Sequence, residues 1–498
     1  MKKLHKLRQM GRGWAMCRVG LALGFMAGGI SVAGAGERPN VLLLMVDDLN
    51  DWVGCMGGHP NAKTPHMDSL AAEGMLFMNA HCQAPLCGPS RASMMSGLLP
   101  TTTGVYGQVS DKHLRRGGKA IREAVFLPDY FEQHGYKSVG AGKLFHNGDG
   151  NGVFDVYGPK YSFGPKPKQR MVYDPSTVTD LGSTLTDWGA YPDSDEKMSD
   201  YRVAAFGVEQ LGKEHEKPFF MALGFARPHV PWHVPQSWFD HHPVGEIVLP
   251  HYKRDDYEDV SELARLVNTM PAMPTVEWLE KHGQWKEMLQ AYLASTTFVD
   301  AQIGKVLEAL RASAYAENTI VVLMSDHGYH LGEKNRVAKQ SLWERSTKVP
   351  LIISVPGEKG GRKCGAAVGL IDLYPTLVEL SGLPGREELE GVSLCPMLDD
   401  PERVWKRGVI TSYGPEHHSV RTARYRYTSY GSGKAREFFD HKVDPNEWEN
   451  QVDVPEQAAR IVELERMLPK GAAEGHPIMK MPVSLYELKQ RGKLGGER

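Results

Sequence analysis

Cys87-Gly88-Pro89-Ser90-Arg91 brings a thiol and a guanidinium within five positions. The run Met94-Met95-Ser96-Gly97 that follows reads as helix, so Cys87 stands beside a helix start. The positive end of the helix dipole and the Arg91 cation both favour an anion at its sulfur. That placement suits a nucleophile; the ordinary alternative for a single cysteine is a small buried hydrophobe.

Two acidic clusters have the chemistry of a hard-cation site. Asp47-Asp48 ends the apolar run Asn40 to Val46, and Asp326-His327 ends the run Thr319 to Met324 after Ser325. Continuous apolar runs of this length predict parallel strands covered on both faces. In open α/β sheets ligands gather beyond the carboxyl ends of strands, so two such ends can converge on one ion. A solvated Asp-Asp turn is the competing reading of the first cluster.

Three more segments carry cations and histidines. They are Gly142-Lys143-Leu144-Phe145-His146, Arg227-Pro228-His229-Val230-Pro231, and the loop from Gly332 to Ser341 with Lys334, Arg336 and Lys339. Prolines on both sides of His229 stiffen its loop, which suits a positioned acid. Taken singly, each of these residues reads as a solvated loop charge or a half-buried histidine.

The elements that must position them follow from periodicity. Trp285 to Ala312 carries apolar residues at helical spacing and predicts an amphipathic helix ahead of the Thr319 strand. Phe219 to Leu223 and Val349 to Gly357 predict further strands. Beyond Pro396 to Glu402, Arg424 to Thr428 alternates like a strand, and Glu437 to Asp440 leads into the turn Asp444 to Glu447.

The chain has 498 residues, 41% hydrophobic and 24% charged, with a formal net charge of -2. That is enough chain for more than one domain, and the charge gives no reason to expect nucleic acid or an anionic membrane as partner. Lys2, Lys3, Lys6, Arg8, Arg12 and Arg18 precede an apolar run from Val19 to Val32 and the small-residue site Ala33-Gly34-Ala35. This pattern predicts a cleaved secretory signal over residues 1–35, an exported periplasmic or secreted protein, and no stable membrane span afterwards. Cys17 leaves with that signal. Cys55, Cys82, Cys364 and Cys395 are too few for a disulfide scaffold.

Cys87-Gly88-Pro89-Ser90-Arg91 resembles the Cys-x-Pro-x-Arg signature of type I sulfatases, and the resemblance extends from Asn40 to about Leu468. It implies an alkaline-phosphatase-like α/β fold: a large, mainly parallel mixed sheet sandwiched by helices over residues 36–398, then a small antiparallel α+β subdomain over 399–498. It implies that a formylglycine-generating enzyme converts Cys87 to Cα-formylglycine. It also implies that Asp47, Asp48, Cys87, Asp326 and His327 bind calcium, with His327 the unusual ligand because calcium prefers oxygen.

Roles follow from the same resemblance. One hydroxyl of the hydrated formylglycine attacks sulfur, Arg91 steadies it, and Lys143 and Lys339 hold the sulfate oxygens. His229 protonates the leaving hydroxyl, and His146 helps remove the proton whose loss expels sulfate. Unmodified Cys87 is expected to be nearly inactive, since a thiolate has no second hydroxyl. His327, the Arg-Pro-His-x-Pro segment and Ala338-Lys339-Gln340-Ser341 resemble the iduronate-2-sulfatase branch, with Arg227 where that branch has lysine. The implied substrate is a sulfated carbohydrate, a 2-O-sulfated uronate foremost. The alternatives are an arylsulfatase, a phosphonate or phosphate monoester hydrolase of the same superfamily, and a sulfated-glycan-binding protein without activity. Residues 151–199 and 241–283 depart most from the family and are expected to shape the substrate mouth.

Overall fold

The structure is a computed structural model that describes residues 38–494. The secretory segment expected over residues 1–35 lies outside the described residues. Eight strands form the large sheet: β1 (Asn40–Asp47), β2 (Met75–Phe77), β3 (Lys137–Gly142), β4 (Val156–Lys160), β5 (Phe219–Pro228), β6 (Thr319–Ser325), β7 (Leu351–Ser354) and β8 (Arg362–Cys364). Their order across the sheet is β8-β2-β7-β6-β1-β5-β3-β4. All run parallel except β7, which is antiparallel to both neighbours.

The unbroken apolar character of β1, β5 and β6 is explained by burial on both faces. Val41, Leu43 and Met45 of β1 join a core with Met94 and Met95 of helix α1 (Cys87–Ser96). The alternate residues Leu42, Leu44 and Val46 join a second core with Val203 and Leu211 of α2 (Ser199–Leu211) and with Val299, Ile303 and Val306 of α3 (Trp285–Arg311). Each such side chain contributes about 1.5–3 kcal/mol by leaving water. This two-sided burial pins β1 and β6 side by side, and with them the carboxylates at their ends.

Two sequence expectations are corrected. The run from Val349 to Gly357 is two strands, because Pro350 lacks the N–H that a continuous ladder needs. Lys348–Val349 pairs with Ala80–His81 in a separate three-stranded sheet, while β7 joins the large one. Strand β5 runs well past Leu223, which carries Pro228 to a register opposite Asp47 across an irregularity in the ladder.

Four antiparallel strands, β9 (Val409–Ser412), β10 (His418–Arg421), β11 (Tyr425–Tyr430) and β12 (Ala435–Asp440), form the C-terminal sheet in sequential order. Helix α4 (Ala458–Glu465) covers it, with Ile461 and Leu464 packed on Val420, Tyr427 and Phe438. The chain then returns to the larger body. Ala473 donates to the Thr101 carbonyl, His476 to that of Gly104, and Gln108 and Lys480 exchange backbone hydrogen bonds of 2.9 and 2.8 Å. Cys55, Cys82, Cys87, Cys364 and Cys395 are all unpaired. Among the described residues no helix is long and apolar enough to cross a membrane.

Candidate active site

Cys87 is the first residue of α1, and Gly97 in the left-handed conformation ends that helix. The whole helix is buried. Gly88 is required here: its N–H donates to Gln108 Oε1 at 2.9 Å, and a Cβ would lie 2.3 Å from that oxygen. Burial pushes the Cys87 thiol up, and the Asp47 carboxylate adds to this, against the pull of Lys143 and Lys339. The helix dipole and Arg91 therefore do not make Cys87 a thiolate, which corrects the simplest reading of its position.

The ends of β1 and β6 are knitted together. Asp326 N–H donates to the Val46 carbonyl (3.1 Å), Asp48 N–H to Asp326 Oδ1 (3.3 Å), and Leu49 N–H to Ser325 Oγ (3.0 Å). Tyr292 of α3 holds the turn after β1, its hydroxyl donating to the Asp48 carbonyl at 3.0 Å. Asp48 itself has φ of 63°, a conformation that costs an L-residue energy and that the surrounding bonds enforce.

Asp47, Asp48 and Asp326 are fully buried, and three cations meet them. Arg91 Nε pairs with Asp326 Oδ2 at 2.7 Å and Nη2 approaches Asp47 Oδ1 at 3.5 Å. Lys143 Nζ is 2.5 Å from Asp47 Oδ2. Lys339 Nζ is 2.6 Å from Asp48 Oδ1 and 3.0 Å from Cys87 Sγ. Burial alone would raise Asp47, but Lys143, His229, Arg91 and Lys339 outweigh it and hold its carboxyl well below the usual range. Burial, with Asp47 beside it, pushes Asp48 up to about 7 even against Lys339.

This donor set fits a divalent cation. Ligand atoms of Asp47, Cys87, Asp326 and His327 lie within 4.8 Å of one another. Asp47 Oδ1 and Asp48 Oδ2 are buried without a hydrogen-bond partner. His327 Nδ1 lies 3.0 Å from the Gly328 carbonyl; donating there, it directs the Nε2 lone pair to Asp48 Oδ1 (3.4 Å), Asp326 Oδ1 (3.6 Å) and Cys87 Sγ (3.3 Å). A lone pair facing carboxylates is unfavourable unless a cation lies between them.

Lys143 is placed by glycine. Gly142 has φ of 81°, and a Cβ there would sit 1.9 Å from the Gly224 carbonyl oxygen of β5. Of the three cations in the loop after His330, only Lys339 faces Cys87. Lys334 is buried against Asp256 at 2.8 Å, and Arg336 donates to the Lys339 and Gln340 carbonyls, holding the loop's shape. Arg227 is likewise structural: its guanidinium donates to the carbonyls of His233, His229 and Phe163.

The two histidines are neutral in this arrangement. Burial and then Lys143 lower His146 to about 3, so its ring is unprotonated, and its Nδ1 is buried without a hydrogen-bond partner. Burial and then Lys339 hold His229 well below the usual imidazole range. Its ring stacks on Phe163 with centroids 4.6 Å apart, and Nδ1 lies 2.6 Å from the Val230 carbonyl. With Nδ1 donating to that carbonyl, Nε2 carries no proton, so acting as an acid requires His229 first to gain one.

All ten residues singled out in the sequence converge here: Asp47, Asp48, Cys87, Arg91, Lys143, His146, His229, Asp326, His327 and Lys339. Sequence reasoning missed Gln108, which tethers α1 from a segment without a motif. It also missed Tyr161 and Phe163, whose rings flank the Lys143 ammonium at 5.4 and 5.6 Å. Two aromatics among the glycines and prolines of the first insertion were the available signal.

Comparison with known proteins agrees with this geometry. The family model "Sulfatase" matches residues 39–383, and "N-sulphoglucosamine sulphohydrolase, C-terminal" matches 332–474. The chain is 45% identical over 441 residues to a sulfatase of Formosa agariphila, covering 87% of each. It is 30% identical over 392 residues to human iduronate 2-sulfatase, covering 69% of each. The solved structure of a 2-O GAG sulfatase superposes with a TM-score of 0.67 at 23% identity, over 86% of this chain and 91% of that one. A matched model over most of the chain, together with a relative of such identity, makes the protein a member of the sulfatase family and a sulfatase by activity.

Proposed function

We propose that Cys87 works as Cα-formylglycine beside a calcium ion, and that the enzyme removes sulfate from a sulfated sugar, a 2-O-sulfated uronate of a glycan foremost. The observation that carries this is the pair of lysines 143 and 339, held by Asp47 and Asp48. Asp47, Asp48, Asp326 and His327 would hold the calcium ion, which would supply positive charge beside residue 87, and residue 87 as formylglycine would supply a hydroxyl nucleophile. The chain's own residues do the rest. Lys143 and Lys339 hold the sulfate oxygens and neutralise the charge that grows as the S–O bond breaks, commonly the largest catalytic contribution. Arg91 fixes Asp47 and Asp326. His146 accepts a proton. His229 takes one up when the anionic substrate is bound and passes it to the leaving oxygen.

The 2-O preference is supported by His327 and by similarity to human iduronate 2-sulfatase. The N-terminal basic and apolar pattern supports export, with maturation of Cys87 by a formylglycine-generating enzyme. The test is sulfate release from defined sulfated disaccharides by protein made with that enzyme, with Cys87→Ala as the blank. Release from a 2-O-sulfated uronate is expected. Release confined to 6-O-sulfated hexosamines overturns the substrate reading, and no release by formylglycine-bearing protein overturns the sugar reading altogether.

A further inference from the structure

We propose a second site on this protein, one that binds the anionic groups of a glycan chain outside the reaction centre. A cavity of about 760 Å³ lies between the large sheet and the C-terminal one, within the size range of sites that hold drug-sized ligands. Its walls come from the chain just after β1, β2 and β8 and from the connections following β10 and β12. It therefore sits on the same carboxyl edge of the sheet as the reaction centre, which follows β1, β6, β5 and β3; the two meet at β1, where Asp51 lies three residues past Asp48. From β1 the cavity reaches to β2, three strand steps away in the sheet order, about 15 Å at ~4.8 Å per step. No residue lining the cavity belongs to the catalytic cluster.

The chemistry of its wall is layered. The carboxylates lie underneath, with Asp51 and Glu344 side chains 8% and 11% exposed. Water meets the cations instead: Arg345 and Lys348 are 22% and 21% exposed, and Arg424 is 46% exposed. Asp51 is shared between Arg345 at 2.6 Å and Lys348 at 3.3 Å, and Arg345 also meets Glu333 at 3.4 Å, so of the two it is Lys348 that has only a shared carboxylate. Arg424 commits Nε and Nη2 to Asp440, which leaves Nη1. Lys442 is exposed, and among the described residues no carboxylate lies within ion-pair reach of it. The floor is open as well, since a Cβ at Gly57 or Gly365 would meet nothing within 4 Å.

Water-facing cations over buried carboxylates recognise sulfate or carboxylate groups, and the spacing lets one chain lie in both places. The inference rests on the reading that the substrate is a sulfated sugar polymer. In that case the groove holds the chain while the sulfate to be removed occupies the buried centre, and polymers are favoured over single sugars.

The test separates binding from turnover. The Cys87→Ala protein is run through native gels cast with dextran sulfate, hyaluronan or neutral dextran. It is compared with the same protein carrying Arg424→Gln and Lys442→Gln, and with a second form carrying only the exposed Lys442→Glu, in case loss of Arg424 disturbs Asp440. A matched loss of charge elsewhere, Lys119→Gln with Lys213→Gln, is the control. Retardation in dextran sulfate is expected to weaken roughly fivefold in the double variant, more than in the control, and to fall also in Lys442→Glu. Retardation in dextran sulfate alone assigns the groove to sulfates, and retardation in hyaluronan as well assigns it to either anion. In the Cys87 enzyme, kcat/KM for a sulfated monosaccharide should be unchanged by these substitutions. Equal retardation of groove and control variants overturns the proposal, as does an equal loss on the small substrate. The binding measurement stands whether or not the disaccharide panel finds a 2-O-sulfatase.

Discussion

In the reaction centre, Asp47, Asp48 and Asp326 share buried space with Arg91, Lys143 and Lys339; below the C-terminal sheet, Glu344 and Glu447 share it with Arg421, Arg426 and His441. The second cluster is closed by ion pairs and hydrogen bonds, with Arg426 Nε alone lacking an aligned hydrogen-bond acceptor. Glu344 takes Arg421 and Arg426, and Glu447 takes Arg426 Nε at 2.6 Å, His441 at 3.1 Å and the Glu344 N–H at 2.8 Å. The first is left incomplete, with Asp47 Oδ1, Asp48 Oδ2, Arg91 Nη2 and His146 Nδ1 all buried without hydrogen-bond partners. Glu344, His441 and Glu447 have metal-ligand spacing too, yet arginines already fill the role an ion would take. Buried charges that serve structure are satisfied by other side chains, whereas those that serve chemistry keep their capacity for something that arrives later.

Substitutions should separate the two clusters. Cys87→Ala is expected to lower sulfate release about 10⁴-fold or more while leaving Tm within a degree or two; residual activity above a tenth would remove Cys87 from the chemistry. Lys339→Ala should cost roughly 10²–10³ in kcat/KM, and Lys334→Met far less, since only Lys339 reaches the sulfur. Arg426→Met should do the reverse. It strands two buried carboxylates and should cost about 3–5 kcal/mol in urea unfolding, with activity per folded molecule preserved. A loss of activity without a loss of stability would erase the distinction.

Smaller effects probe the ion. Removing divalent cations should abolish activity and lower Tm by about 5 °C, with calcium restoring both. An unchanged Tm would mean that nothing binds between the carboxylates. The smallest effect is a pH slope in which Asp48 and Glu344 have opposite signs, while Asp47, held well below its usual range, adds to the slope of Glu344 below the ordinary carboxylate range. Asp48 is raised to about 7 in the fold by burial and Asp47, so the folded state holds a proton the unfolded state has lost. Stability of the metal-free protein should fall as pH rises from about 4 to 7. Glu344 is held well below its usual range: burial would raise it, and Arg421, His441, His81 and Arg426 outweigh burial. Its contribution is full above the ordinary carboxylate range and is lost as pH falls below it. Differential scanning calorimetry across pH 2–8, with and without calcium, should show the first slope, between about pH 4 and 7, vanish in calcium and the second, below about pH 4, persist.

The reaction centre was more legible in the sequence than the framework around it, for physical reasons. Asp47-Asp48 and Asp326-His327 close strands whose two-sided burial writes itself as unbroken apolar runs. Lys143 follows a glycine that no other residue can replace where β3 meets Gly224. Pro350 is read easily as a break only once its two flanking strands are known to join different sheets. Arg336 and Arg227 act by giving hydrogen bonds to backbone carbonyls and Gln108 by accepting one from the Gly88 N–H, and no residue pattern marks a backbone group as needing a side-chain partner. The choice among Lys334, Arg336 and Lys339 depended on left-handed turns at Lys334, Asn335 and Gln340, none of them glycine.

The pairing of Lys480 with Gln108, which in turn grips Gly88, gives the nucleophile helix a brace made in a different epoch of the molecule's life. About 390 residues separate the helix from that brace, and ribosomes add ~5–20 residues per second. For roughly 20–80 s of synthesis the segment around Cys87 exists without it, so the maturation proposed for Cys87 would, during synthesis, act on a chain that cannot yet assemble this support.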